Sequence, residues 1–150
     1  MSEIRKRILV VDDDPQILSG LAALLSAEWE VRTAETGKDA LTAFAEFSPD
    51  VVLLDVQLPD FSGIELLHQF KMYSEAAAVI MMSGVGDLAR VIDSMKLGAE
   101  TFLQKPFDTE TLTLTLQQVS KMIAQQRELL ALRRTETKDV ERLPGVSASI

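Results

Sequence analysis

VVLLDVQLPDFSG (residues 51–63) decides the fold. Four apolar residues, Val51 to Leu54, run straight into a carboxylate, Asp55, and then into a turn marked by Pro59, Asp60 and Gly63. An apolar run this short and unbroken suits a strand buried on both faces. Such strands lie in parallel sheets covered by helices. The same pattern recurs along the chain. Ile8-Leu9-Val10-Val11 ends in Asp12-Asp13-Asp14, Val79-Ile80-Met81-Met82 ends at Ser83, and Thr101-Phe102-Leu103-Gln104 ends at Lys105-Pro106. Trp29 to Thr33, with alternating character, supplies a fifth strand.

Amphipathic stretches separate these strands. Asp14 is placed to cap a helix whose first turn holds Pro15 and whose apolar face is Ile17, Leu18, Leu21, Leu24 and Leu25. Gly37 to Phe47 is helical through Ala40, Leu41, Phe44 and Phe47, and Ser48-Pro49 breaks it. Ile64, Leu66, Leu67 and Phe70 mark a third helix; Leu88 to Leu97 form a fourth, stopped by Gly98; a fifth begins near Asp108 or Thr109. Five strand–helix repeats predict a doubly wound α/β fold. The expected sheet is five-stranded and parallel, in order 2-1-3-4-5, with helices on both faces and an extended C-terminal helix.

In such sheets ligands bind beyond the carboxyl ends of the strands. Here those ends deliver Asp12, Asp13 and Asp14 from the first strand, Asp55 from the third, Ser83 from the fourth and Lys105 from the fifth. Three carboxylates brought together repel one another unless a cation intervenes. Oxygen-only ligands select a hard ion such as Mg²⁺, which takes one or two carboxylates and leaves room for phosphate. Lys105 adds positive charge and Ser83 a hydroxyl, both suited to a transferring phosphoryl group. Asp55, in the centre of the sheet, is the carboxylate best placed to act as nucleophile.

ILVVDDDP (8–15), VVLLDVQLPDFSG (51–63), VIMMSG (79–84) and FLQKPF (102–107), in this order and spacing, resemble the bacterial two-component response-regulator receiver domain. The resemblance covers about Arg7 to Lys121. It implies that Asp55 accepts the phosphoryl group from a sensor histidine kinase or phosphotransfer protein. It implies that Asp12, Asp13, Asp55 and the backbone carbonyl of Gln57 hold Mg²⁺. Ser83 and Phe102 match the switch pair, Lys105 the essential lysine, and Pro106 a residue preceded by a cis peptide bond. Small phosphodonors are expected to serve as well. Gln57 and Val85, two residues past Asp55 and Ser83, match positions that influence phosphoryl lifetime, and Val85 is expected to shield the group. Phosphorylation is expected to alter the surface made by the fourth helix, fifth strand and fifth helix. Phe102 as plain core is the alternative to its switch role.

Composition bounds the rest. The 150 residues have room for one ordinary domain, 47% are hydrophobic, and there is no cysteine for disulfides or thiolate metal sites. The net charge is −8, with 9 Lys/Arg against 19 Asp/Glu up to residue 120 and 6 against 4 beyond it. An acidic body argues against direct nucleic-acid binding by this segment. Arg5-Lys6-Arg7 is followed by too few apolar residues for a signal peptide, and no apolar run approaches the ~20 residues of a membrane span. A cytoplasmic location without membrane association is expected. His68, the only histidine, is read as a surface residue, Trp29 as packing, and Met81, Met82, Met95 and Met122 as core or interface filler.

Residues 1–121 are assigned to the receiver and 122–150 to a helical extension and linker toward an output domain. Leu112, Leu116, Val119, Ile123 and Leu130, with Gln126 in the seam, follow the alternating steps of a two-stranded coiled coil. A homodimer through this helix and the face of the fourth helix, fifth strand and fifth helix is one expectation; a helix half packed and half frayed is the other. The polar stretch past Arg134 and Leu143-Pro144-Gly145-Val146-Ser147 read as a linker of a larger regulator, such as a transcriptional activator. Two rival functions remain. One is an unphosphorylated pseudo-receiver acting as an interaction module. The other is an Asp-nucleophile phosphatase of the haloacid-dehalogenase kind, whose Asp-x-Asp-x-Thr/Val pattern fits Asp12-Asp13-Asp14-Pro15 poorly.

Overall fold

The computed structural model describes residues 5–142, with side chains to Arg133. Ten elements alternate: β1 (Arg7–Val11), α1 (Pro15–Leu25), β2 (Glu30–Ala34), α2 (Gly37–Phe47), β3 (Val51–Asp55), α3 (Gly63–Tyr73), β4 (Ala78–Ser83), α4 (Leu88–Lys96), β5 (Thr101–Gln104) and α5 (Thr109–Arg142). The strands form one parallel sheet in the order β2-β1-β3-β4-β5. The predicted fold class and strand order are therefore observed. The chain divides into two compact units between Asp108 and Thr109.

Every residue of β3 and β4 is buried, as continuous apolar runs require. Alternate residues serve the two faces. Leu9, Val11, Val52, Leu54, Val79 and Met81 join Ala40 and Phe44 of α2, Leu66, Leu67 and Phe70 of α3, and Val91 of α4 in one core. Phe44 and Phe70 stack at 4.4 Å. Ile8, Val10, Val51, Leu53, Ile80 and Met82, of opposite parity, are equally buried, and α1 packs along β1 and β2 with Leu18, Leu21 and Leu25 inward. Removing one such side chain, for example by Leu53→Ala, costs about 2–5 kcal/mol.

The helix boundaries follow local chemistry. Asp14 caps α1 by accepting from the Gln16 N–H, Thr36 caps α2 and Ser62 caps α3. Gly98 ends α4 with φ of +106°, a conformation that L side chains avoid. Trp29 is buried, as read, and His68 is exposed. Leu24 differs from expectation, standing 42% exposed, and Met95, 41% exposed, loses the core reading but not the interface one. Within α5, Leu112, Leu116, Val119 and Ile123 are buried, whereas Leu130 is 53% exposed. The helical spacing continues past Ile123 but the burial does not. The expected Leu143–Ser147 linker lies outside the described residues. Among the described residues no helix is long and apolar enough to cross a membrane.

Candidate functional site

The carboxyl ends of β1, β3, β4 and β5 share one edge of the sheet, and all the side chains expected there lie at it. Asp12 follows β1 while its N–H still donates to the Ala34 carbonyl. Its side chain is fully buried: Oδ1 accepts from the Asp14 N–H at 2.9 Å, and Oδ2 accepts from Lys105 Nζ at 2.5 Å. Asp55 closes β3. Its Oδ1 accepts from the Gln57 N–H at 3.0 Å and its Oδ2 from Lys105 Nζ at 3.1 Å. One ammonium thus bridges two carboxylates that come from different strands. Asp13 is exposed, and carboxylate oxygens of Asp12, Asp13 and Asp55 all lie within 4.8 Å of one another.

Burial pushes the Asp55 carboxyl above the usual carboxylate range; the Gln57 N–H and Lys105 oppose the shift without cancelling it, and the Asp12 charge adds to it. Burial alone would lower the Lys105 amine. Its hydrogen bonds to Asp12 and Asp55 outweigh that and hold it above the usual lysine value, so it stays charged at neutral pH. The arrangement holds more negative than positive charge around its oxygens. With oxygen donors alone, the cluster fits a hard divalent cation better than a soft one.

Ser83 ends β4 and is buried, and its carbonyl accepts from the Lys105 N–H at 2.7 Å. That bond fixes the start of Lys105 against β4, and the following peptide bond, Lys105–Pro106, is cis as expected. Val85 is 89% exposed. Phe102 is 44% exposed, which removes the plain-core reading of this ring.

The loop after Asp55 is held from three sides. The Gly63 N–H donates to the Val56 carbonyl at 2.8 Å, and a Cβ on Gly63 would lie 2.3 Å from the Asp55 carbonyl oxygen. Only glycine permits that approach. Gln57 and Ser62 form an antiparallel bridge across the loop. Asp60 accepts from the N–H groups of Gly37 and Lys38 at 2.8 and 3.0 Å, at the N-terminus of α2. Those bonds, that from Gly37 foremost, hold its carboxyl below the usual range. The sequence marked Asp60 only as a turn residue. Its tie to α2 spans 23 positions and leaves no local signal. Arg90, whose guanidinium lies against the Gln57 side chain, and Asp87, which is bonded to Arg90, went equally unread.

A family description, the response regulator receiver domain, matches residues 8–117. The chain belongs to this family of two-component signalling domains. It is 30% identical over 124 residues to the regulatory protein AtoC of Escherichia coli (strain K12), covering 82% of this chain and 27% of AtoC. It is 33% identical over 118 residues to the chemotaxis protein CheY of Thermotoga maritima, covering 77% of this chain and 98% of CheY. Its structure is similar to that of NtrX from Brucella abortus, with a TM-score of 0.81 and 32% identity, over 86% of this chain and 30% of NtrX. The chain therefore spans about a quarter to a third of two of these relatives and nearly all of the third.

Proposed function

We propose that this chain is a phosphorylation-driven switch in which Asp55 accepts a phosphoryl group from a sensor histidine kinase or phosphotransfer protein. The observation that carries this reading is the bridged carboxylate. Asp55 ends a central strand with one oxygen on a backbone N–H and the other on the Lys105 ammonium, beside two further acids. Asp12, Asp13, Asp55 and the Gln57 backbone carbonyl would hold Mg²⁺. When bound, the ion supplies charge neutralisation for phosphoryl oxygens.

The Asp55 carboxylate oxygen forms a bond to phosphorus as the bond from phosphorus to the donor's imidazole nitrogen breaks, and the imidazole leaves. Lys105 steadies the negative charge on the group in transfer. Asp12, fully buried and bonded to Lys105, positions that ammonium rather than reacting itself. The acyl phosphate then draws in the Ser83 hydroxyl, and Phe102, half exposed beforehand, turns into the space opened. The ligand shifts a population between two packings only by its difference in affinity for them. The α4–β5 surface is the readout, together with α5.

Residues 1–121 act as the receiver and 122–150 as the extension toward an output, in a cytoplasmic regulator that pairs through α5. A role in transcription is supported by the likeness to KdpE of Mycobacterium tuberculosis, named a transcriptional regulatory protein, which is 43% identical over 101 residues, 67% of this chain and 44% of KdpE. Intact-mass spectrometry after treatment with Mg²⁺ and acetyl phosphate tests the central claim. One phosphoryl group per chain, absent in Asp55→Asn, is expected. No label, or equal label in Asp55→Asn, refutes it. Turnover of a free phosphomonoester would instead favour a phosphatase. Sedimentation with and without beryllofluoride tests the pairing.

A further inference from the structure

Beside Asp55 a chain of polar contacts runs from α4 to the β3–α3 loop. Asp87, whose side chain is only 14% exposed, uses both carboxylate oxygens: Oδ2 accepts from the Gly84 N–H at 2.8 Å, and Oδ1 accepts from Arg90 Nη1 at 3.0 Å. The guanidinium so held faces the side chain of Gln57. With the amide turned so that its carbonyl faces the guanidinium, the Gln57 oxygen accepts from Arg90 Nη1 and, at 3.0 Å, from Nη2. The opposite amide setting would put NH₂ against guanidinium N–H, donor on donor, so the carbonyl is the group that meets Arg90. Gln57 is also the residue whose N–H fixes the Asp55 carboxylate.

A glutamine amide beside an acyl phosphate is a hydrolytic device when it is free to turn. Its carbonyl can accept from a water and aim that water's lone pair at phosphorus, as glutamines do in nucleotide hydrolases. Here that acceptor is already committed, and to a charged donor, the stronger kind of partner. We infer that Arg90 is a positioning residue that lengthens the life of the phosphoryl group by holding the Gln57 amide away from the attacking water. The inference rests on Asp55 being the phosphoacceptor. The step it restrains is hydrolysis. A water oxygen bonds to phosphorus, the bond from phosphorus to the Asp55 oxygen breaks, the water proton passes to solvent, and inorganic phosphate and the free carboxylate result.

The Arg90 side chain is 46% exposed, so its hold on Gln57 is modest and its loss should change the rate about two- to fivefold. The test follows the decay of the phosphorylated full-length chain in Mg²⁺ buffer by intact mass, after acetyl phosphate has been removed. Arg90→Ala is expected to shorten the half-life about two- to fivefold. In a Gln57→Met background, where no amide can orient water, adding Arg90→Ala should change nothing. Arg90→Lys, which keeps a donor without the planar fork, should restore part of the lifetime. An unchanged or longer half-life in Arg90→Ala overturns the inference. An equal shortening with and without the Gln57 amide does so too, because Arg90 would then act through α4. If the wild-type chain takes no label, or Asp55→Asn takes it equally, the underlying assignment of Asp55 has failed instead.

Discussion

Asp13→Asn should make the metal-free protein more stable while removing its response to Mg²⁺. Its carboxylate lies within 4.8 Å of those of Asp12 and Asp55. Two unit charges at that separation repel by about 0.9 kcal/mol in bulk water. Asp13 is exposed, so a water-like dielectric is the right one to use. There are two such repulsions, and Lys105, bonded to both of the other acids, offsets part of each. The net gain on removing the charge is about 0.5–1 kcal/mol at low salt, or about 2–4 °C in Tm for a domain of this size. Added salt should shrink it. Wild-type protein should gain about 1.4 kcal/mol when free Mg²⁺ reaches tenfold its Kd, and the variant far less. Urea unfolding in EDTA at low and high salt, and then across a Mg²⁺ titration, measures all of these. A variant less stable than wild type in EDTA, or stabilised by Mg²⁺ as strongly as wild type, would show that the acids are not a crowded cation site.

Lys105→Met should be the converse case. It leaves the fully buried Asp12 without its cation and should lower stability by about 2–3 kcal/mol in urea unfolding; a loss below about 1 kcal/mol would mean that water replaces the ammonium freely. Gly63→Ala forces a Cβ to 2.3 Å from the Asp55 carbonyl oxygen and 2.7 Å from Val56 Cα, both backbone atoms, and should cost about 3 kcal/mol. Gly37→Ala, whose Cβ meets the side chain of Phe61, should cost less because a ring can turn; equal losses in the two variants would contradict the reasoning. The Asp60 carboxyl is held below its ordinary value in the folded state, so the protons it binds on acidification favour unfolding. Its contribution is present above the unfolded pKa and lost as pH falls through the folded one. Asp60→Asn should therefore lower Tm at neutral pH and flatten its acid limb, which scanning calorimetry between neutral and acid pH can follow.

Much of this protein was legible before any coordinates. Val51-Val52-Leu53-Leu54 could only be a strand covered on both faces, because an unbroken apolar run of four has no solvent side. Asp14 with Pro15, and Gly98, marked helix ends through backbone chemistry confined to a few residues. Asp12, Asp55, Ser83 and Lys105 were found because a parallel sheet must bring its strand ends to one edge. The tie of Asp60 to α2 and the approach of Arg90 to Gln57 were missed because each reaches a partner far along the chain, and neither periodicity nor capping patterns encode that; Asp87, whose side chain is bonded to Gly84 and Arg90, three residues to either side, was a local signal left unread. The end of burial in α5 after Ile123 accords with the half-packed reading of that helix; its apolar spacing continues to Leu130, and spacing alone did not choose between the two readings.

The sequence by itself determined the order and type of the elements and the set of residues at the sheet edge, since apolar runs, caps and turns are properties of neighbouring residues. Only the tertiary structure decided that Asp12 is the buried acid and Asp13 the exposed one, and that a single ammonium joins Asp12 to Asp55 across 93 and 50 positions of chain. It also set the Arg90 guanidinium against the Gln57 side chain, two residues past Asp55. Those choices depend on how far each strand extends past its neighbour and where each loop turns, which the packed sheet and helices set and no local segment specifies.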